Sequence, residues 1–367
     1  MSTDPFENSF RVLALDGGGV RGLYTASLLH SLAAHFATLA GNPRPDGYDV
    51  GKKFDLIAGT STGGILACGL ASGKTTGELI QLYDTLAETV FTDPQPIGNR
   101  GLLRWAWRNR HKPANSSQPL REALTRSFGA TETLGSAYAR RRIALCIPAC
   151  RALDWSPKVF KTPHCAEYTR DRDVTLVDVS LATSAAPIFL PVAEIQETPT
   201  ETGRFVDGGL WANNPITVAL TEALEILTPQ NRIRSIELLS IGTSGGPSGQ
   251  APGAETNQGI MEWRFGSEAA SMSVGVQAGG HDHVARRIAK LFSARGVPIR
   301  YGRIHNPAIT TEQAAELRLD RATKTARQLL RQLGDARAQS VESECANRTE
   351  LGQIVQSIFL RRSNNNV

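Results

Sequence analysis

The sequence predicts an α/β protein of three layers, a three-layer α/β/α fold with a mostly parallel central sheet and a helical C-terminal part. Three observations lead to this fold class. Short apolar runs alternate with stretches of helical spacing from residue 10 to about residue 243. The first two apolar runs each end in a glycine-rich turn that leads into a helix-like stretch. From residue 263 onward the pattern predicts helices without further strands.

The same change of pattern divides the chain of 367 residues. We expect an N-terminal tail over 1–9, an α/β core over 10–262, a helical part packed on the core over 263–362, and a tail over 363–367. Four prolines interrupt the core at about 92–119, which predicts a cap or lid insertion there.

The elements follow one another in a simple order. Apolar runs bounded by glycine, proline or polar residues predict strands, and apolar residues at helical spacing predict helices. We expect strands over 10–16, 54–58, 142–148, 158–161, 205–206 and 233–241. We expect helices over 23–39, 65–71, 76–91, 120–128, 174–186, 215–227, 317–333 and 351–359.

The insertion contains Trp105 and Trp107 among leucines and arginines. Amphipathic aromatic side chains mixed with basic ones are typical of a membrane interface or of a lid over an apolar site. A cap helix packed on the core fits the same residues, and the sequence leaves these alternatives open.

Composition and charge limit the compartment and the partners. The chain has no apolar run of the roughly 18 to 20 residues needed to cross a bilayer, and its start lacks a signal-peptide layout. Five cysteines at irregular spacing indicate neither a disulfide framework nor a zinc site. We therefore expect a cytoplasmic protein without a metal. The net charge of +5 favours anionic partners, although a solvated basic surface explains it equally well.

The second apolar run leads into a match to G-x-S-x-G. Gly59, Ser61 and Gly63 occupy the fixed positions, between a predicted strand and a predicted helix. This is the context of a nucleophile elbow, in which the serine lies on a sharp turn. Glycines on either side let strand and helix pack closely while the hydroxyl points outward. Ser61 is therefore a candidate nucleophile.

The first strand leads into a second glycine-rich turn, at Gly17, Gly18 and Gly19. Backbone N–H groups before a helix can converge on an oxygen that becomes negatively charged, as an oxyanion hole requires. Gly17, Gly19 and Gly22 also match the G-x-G-x-x-G fingerprint of dinucleotide-binding proteins, but the next strand lacks the carboxylate that would hold a ribose. Gly73-Lys74-Thr75 match the end of a Walker A motif, but the motif requires a glycine at position 68, which is Cys68.

Asp207 follows a strand-like pair and precedes Gly208 and Gly209. A carboxylate next to glycines can approach another backbone closely, as a general base beside a serine must. A turn aspartate is the structural alternative. A histidine triad is the chemical alternative, with His281, His283 and His305 as its later members, although surface histidines explain these three residues too.

Taken together and in this order, the glycine turn with Arg21, the Ser61 motif and the Asp207 motif resemble the patatin-like phospholipases. The resemblance covers residues 10 to 243. It implies a patatin fold, with Ser61 as nucleophile, Asp207 as base and the turn glycines as oxyanion hole. It also implies hydrolysis of phospholipid acyl esters through an acyl-enzyme, without a metal. Arg21 would orient the turn or meet a lipid phosphate.

The layout also resembles the CapV group, phospholipase effectors of cyclic-oligonucleotide antiphage (CBASS) systems. This narrower resemblance implies activation by a cyclic dinucleotide of the cyclic GMP-AMP type, made by a partner nucleotidyltransferase. It implies action at the inner membrane from the cytoplasm and no DNA or RNA partner, and it leaves open a homo-oligomer on activation. Two alternatives remain: an ungated lipase of lipid turnover or toxicity, and a lipid- or nucleotide-binding regulator with a vestigial site.

Overall fold

A computed structural model describes residues 5–41, 48–96, 98–198, 200–227, 235–244, 263 and 267–361. Its described residues form one sheet of eight strands. The strands are β1 (Phe10–Leu15), β2 (Leu56–Gly59), β3 (Ala144–Arg151), β4 (Pro157–Lys161), β5 (Ala193–Thr198), β6 (Glu201–Asp207), β7 (Ile236–Ile241) and β8 (Ile299–Ile304).

The sheet is mostly parallel, as the sequence predicts. Its strand order is β5-β6-β3-β2-β1-β7-β8, and β4 pairs with β3 off this path. Strands β1, β2, β3, β7 and β8 run parallel to one another. Strands β4 and β6 run antiparallel to β3. The carboxyl ends of β1, β2 and β7 therefore meet at one edge of the sheet, where ligand sites of α/β folds lie.

Helices connect and cover the strands. They are α1 (Gly22–Leu39), α2 (Thr62–Ser72), α3 (Thr76–Thr89), α4 (Asn99–Arg108), α5 (Gln118–Phe128), α6 (Leu134–Arg141), α7 (Leu176–Thr183), α8 (Gly209–Ala212), α9 (Ile216–Leu227), α10 (Ser267–Ser293), α11 (Thr311–Glu316), α12 (Lys324–Ala346) and α13 (Glu350–Leu360). None of those described is long and apolar enough to cross a membrane.

Alternation along β1 divides the core into two layers. Leu13 and Leu15 belong to a large cluster with residues of α1, α2, α3 and α12. Val12 and Ala14 belong to a second cluster with residues of α9 and α10. Because successive strand residues point to opposite faces, helices cover the sheet on both sides. This confirms the three-layer fold class.

The C-terminal part differs from the prediction of helices alone. Residues Ile299–Ile304 form β8, which pairs in parallel with β7 at the edge of the sheet. The helix predicted over 317–333 begins only at Lys324, because the side chain of Thr323 caps it by accepting the Ala326 N–H. The division of the chain at residue 262 stays a prediction. Strand β5 and helix α6 were not predicted.

Candidate functional site

Ser61 lies on the sharp turn between β2 and α2, with φ of 55° and ψ of −123°. The two motif glycines allow this turn because there is no room for side chains. A Cβ on Gly59 would lie 2.1 Å from the Gly63 carbonyl oxygen, and one on Gly63 would lie 2.2 Å from the Leu15 carbonyl oxygen. Ser61 is only 8% exposed. The sequence predicts a hydroxyl that points outward from the turn. This prediction is wrong, because Ser61 lies in a largely closed site.

The hydroxyl of Ser61 donates a hydrogen bond to Oδ2 of Asp207 at 2.7 Å. Asp207 is the last residue of β6, and its Oδ1 accepts the backbone N–H of Gly209 at 2.7 Å. A Cβ on Gly208 would lie 2.3 Å from the Pro148 carbonyl oxygen, so glycine lets this turn pack against β3. The structure thus brings together two side chains that are 146 positions apart in the sequence.

Burial raises the pKa of Asp207 to about 6, against the lowering effects of its bonds to Ser61 and to the Gly209 N–H. A carboxylate with such a pKa is mostly ionised at neutral pH and still takes a proton readily. The pair has the geometry and the proton affinity of a nucleophile with its general base.

Thr183, at the end of α7, stabilises the turn that carries Ser61. Its Oγ1 accepts the backbone N–H of Ser61 at 2.9 Å and donates to the Pro148 carbonyl at 2.5 Å. Its own carbonyl accepts the N–H of Gly208. Sequence reasoning missed this residue, because no local pattern distinguishes a threonine that bridges two motifs from an ordinary helical threonine.

The glycine-rich turn lies against Ser61, but its three glycines are not equivalent. A Cβ on Gly17 would lie 3.3 Å from the Cβ of Ser61. The N–H of Gly17 donates to the carbonyl of Asn213 at 2.9 Å, so Gly17 is not a free donor and this part of the oxyanion prediction fails. The N–H groups of Gly18 and Gly19 have no acceptor among the described residues. They are the candidate oxyanion donors.

Two arginines fix the turn. The Nε of Arg21 donates to the Gly18 carbonyl at 3.2 Å, which supports a role in orienting the turn. Burial lowers the pKa of Arg21 to about 10. Arg303, on β8, donates to both carboxylate oxygens of Asp16, at 2.5 and 3.2 Å. Arg303 was not singled out from the sequence, because its strand was not predicted.

The histidines do not complete a triad in the described residues. The partners of the Asp207 carboxylate there are Ser61 and Gly209. His281 Nδ1 instead lies 2.9 Å from the carbonyl oxygen of Asn214, and links α10 to the start of α9. His283 and His305 are exposed.

A separate buried cluster has metal-ligand chemistry. Among the described residues, Cys146, His164 and Glu222 place ligand atoms within 4.8 Å of one another. However, the two Glu222 oxygens are already taken by His164 Nε2 at 2.8 Å and by Lys161 Nζ at 2.6 Å. Burial also raises the pKa of the Cys146 thiol well above its ordinary value, whereas a metal needs a thiolate. The cluster therefore fits a closed hydrogen-bond network better than a metal centre.

The two tryptophans of the insertion have different surroundings. Trp105 is 5% exposed, and its ring centroid lies 6.2 Å from that of Phe189. Of the alternatives that the sequence leaves open, Trp105 therefore fits the packed cap helix and not a membrane contact. Trp107 is 68% exposed.

The chain is similar to known phospholipases. The model of the patatin-like phospholipase family matches residues 13–220. Three curated relatives are each called cGAMP-activated phospholipase. The one from Vibrio cholerae is 35% identical over 65% of this chain and 65% of its own length. The one from Escherichia coli is 36% identical over 64% of this chain and 62% of its own length. The one from Pseudomonas aeruginosa is 32% identical over 90% of this chain and 88% of its own length.

The chain thus spans just under two thirds of the length of the Vibrio and Escherichia proteins. The family match covers more than half of the chain and includes both Ser61 and Asp207. The chain therefore belongs to the patatin-like phospholipase family.

Proposed function

We propose that this protein hydrolyses acyl esters of membrane phospholipids through Ser61 and Asp207, and that a cyclic dinucleotide switches it on. The observation that carries the hydrolase part is the 2.7 Å hydrogen bond between the Ser61 hydroxyl and the Asp207 carboxylate. A binding protein with a vestigial site has no need to keep a strained serine paired with a buried carboxylate.

In the first half of the reaction, the Ser61 oxygen attacks the ester carbonyl carbon while its proton moves to Oδ2 of Asp207. The carbonyl oxygen becomes an oxyanion, which the N–H groups of Gly18 and Gly19 stabilise. The intermediate then collapses: the bond from carbon to the alcohol oxygen breaks, and the lysophospholipid leaves with the proton from Asp207. The acyl group stays on Ser61.

In the second half, a water molecule attacks the acyl carbon and gives a proton to Asp207. The second oxyanion collapses, the bond from carbon to the Ser61 oxygen breaks, and Ser61 regains its proton from Asp207. A fatty acid is released and the site returns to its starting state. One carboxylate is sufficient for both halves because it alternates between base and acid.

Two contacts from the C-terminal part support a gated site. Arg303 binds Asp16 at the start of the glycine turn, and the carbonyl of Leu319 accepts the N–H of Val20 at its end. A ligand that shifted β8 or the segment around Leu319 would therefore change the donors that face the oxyanion. Relatives called cGAMP-activated phospholipase suggest that this ligand is a cyclic dinucleotide.

Such gating has a physiological reason. An esterase that attacks the membrane of its own cell must stay inactive until a signal arrives. We propose that the protein acts in an antiphage system of the CBASS type, in the cytoplasm and peripherally at the inner membrane. A partner nucleotidyltransferase would supply the signal.

The test measures fatty acid release from phosphatidylglycerol vesicles by the wild type and by Asp207→Asn, with and without 3′,3′-cyclic GMP-AMP. We expect release by the wild type to rise strongly with the nucleotide, and Asp207→Asn to lose about 10²–10⁴-fold in rate while keeping its melting temperature. Full activity without nucleotide would support the ungated lipase. Near-normal rates for Asp207→Asn would refute the proposed base.

A further inference from the structure

Helix α4 has two faces of different character. Leu102 and Trp105 point into the protein, and the Trp105 indole donates to the Asp93 carbonyl. Leu103 is 50% exposed and Trp107 is 68% exposed. These two residues are four positions apart and therefore lie together on the outer face of the helix. A helix that is already anchored by one tryptophan has no packing reason to present a second one to solvent.

The outer face is strongly basic. The stretch 99–112 has five arginines or lysines and no acidic residue. Arg100 and Arg104 flank Leu103 and Trp107 on the same arc of the helix, and neither has an acidic partner among the described residues. The Arg110 guanidinium stacks on the Trp107 ring at 4.2 Å from its centroid. Apolar area and positive charge therefore alternate across one surface.

A loop joins this surface to the proposed active site. The carbonyl of Ala185 accepts the N–H of Asp207, and three residues later the Ile188 carbonyl accepts the N–H of Ala114, which follows α4. Ile188 is 65% exposed and has φ of 74°. A β-branched residue in the left-handed region is strained. Ile188 thus exposes an apolar side chain to solvent at a cost in backbone energy, on the loop that links Asp207 to the segment after α4.

We propose that Leu103, Trp107 and Ile188, with Arg100, Arg104 and Arg110 around them, form a docking surface for an anionic lipid bilayer. This inference rests on the proposed function, because it brings the enzyme to its substrate. Aromatic and aliphatic side chains enter the headgroup region, and arginines bind lipid phosphates. Charge favours lipid over a second copy of the chain, since a symmetric dimer would place the same positive groups opposite each other.

The loop from Ala185 to Ile188 contacts both Asp207 and Ala114, so docking through Ile188 would bring the candidate active site to the lipid. Docking would thus raise the local concentration of substrate without taking part in the chemistry. The surface should therefore govern attack on bilayers and leave the hydrolysis of small soluble esters unchanged.

The test uses full-length protein carrying Ser61→Ala, so that vesicles survive and binding is measured apart from catalysis. Binding is followed by co-sedimentation with vesicles of phosphatidylcholine and phosphatidylglycerol, and with vesicles of phosphatidylcholine alone. We compare Trp107→Ala, and the double change Arg100→Gln with Arg104→Gln. Matched controls on the exposed side of α10 are Leu291→Ala, and Arg287→Gln with Lys290→Gln.

We expect the parent protein to prefer anionic vesicles. Trp107→Ala should weaken binding at least fivefold, and the arginine pair should weaken it about 25-fold, roughly fivefold for each charge. The controls should stay within about twofold, because scattered surface charges act weakly at a distance. All variants should keep the parent melting temperature, since the changed side chains are exposed.

Three results would overturn the docking surface. They are no binding of the parent to anionic vesicles, equal losses in the controls, and a lipid-free dimer that Trp107→Ala abolishes. With Ser61 intact, Trp107→Ala should hydrolyse a soluble short-chain ester at the wild-type rate. Vesicle binding without any ester hydrolysis by the wild type would refute the proposed function and leave the docking surface in place.

Discussion

The guanidinium of Arg303 lies 2.5 Å from a carboxylate oxygen of Asp16, and both side chains are almost completely buried. Asp16 begins the glycine-rich turn, whereas Arg303 is on β8, in the part of the chain predicted to be helices alone. The C-terminal part therefore holds the loop that carries the candidate oxyanion donors. Burial raises the pKa of Asp16, although the arginine beside it acts in the opposite direction.

Arg303→Met should destabilise the protein, because it leaves the Asp16 carboxylate buried without its cation. Breaking a buried pair in this way costs about 3–5 kcal/mol. Urea unfolding measures the loss. Adding Asp16→Asn to Arg303→Met should recover part of it, since the uncompensated charge is then gone. A loss below about 1 kcal/mol in the single variant would show that the pair does not hold the turn.

The acid limb of kcat/KM should lie near pH 6. Asp207 must be ionised to accept the Ser61 proton, and burial raises its pKa to about 6. Activity on a soluble ester should therefore fall about fivefold from pH 6 to pH 5 and change little above pH 7. The contribution of Asp207 to stability has the opposite sign: its raised pKa favours the protonated folded state, so this contribution falls as the pH rises towards 6. An acid limb of kcat/KM near pH 4 would contradict the assignment of buried Asp207 as the base.

Thr183→Val should weaken both stability and activity. Valine has nearly the same shape, but it cannot accept the Ser61 N–H or donate to the Pro148 carbonyl. Leaving buried polar groups unpaired costs about 1–3 kcal/mol for each group. A displaced elbow should lower kcat about tenfold or more. Thr183→Ser keeps the hydroxyl and is the matched control, so equal rates for the two variants would exclude a positioning role.

Gly19→Ala should damage the candidate oxyanion hole. Gly19 has φ of 58°, and a Cβ there would lie 2.2 Å from the Leu319 carbonyl oxygen. Gly41→Ala is the control, because Gly41 has φ of 75° and no neighbour within 4 Å. Both variants should lose about 1 kcal/mol to backbone strain. Only Gly19→Ala should lose more stability and also about 10²–10³ in kcat, which is the usual contribution of one oxyanion donor.

The central pair of the site could be predicted because its signals are local. Ser61 lies between two glycines and Asp207 directly before two, the turns require these glycines, and both turns follow recognisable strands. Thr183 and Arg303 could not be predicted, since their roles depend on which residue lies opposite them in the fold. Gly17 shows the same limit: its N–H would be a plausible donor from the sequence, but the carbonyl of Asn213 takes it.

Strand β8 was not predicted from the sequence. Residues 299–304 include two arginines, which obscure the apolar pattern of a strand. Both arginines find acidic groups inside the fold, Arg300 near Glu237 and Arg303 at Asp16. A charged residue in a strand is thus compatible with burial when its partner is distant in sequence, and no local pattern reveals such a partner.

The account depends most on an acyl group passing through Ser61. The most direct measurement is peptide mass spectrometry after the wild type and Ser61→Ala react with a fluorophosphonate serine probe in the presence of 3′,3′-cyclic GMP-AMP. We predict one adduct, on the peptide that contains Ser61, and no adduct in Ser61→Ala. Labelling of another residue, or equal labelling of Ser61→Ala, would contradict the assigned nucleophile.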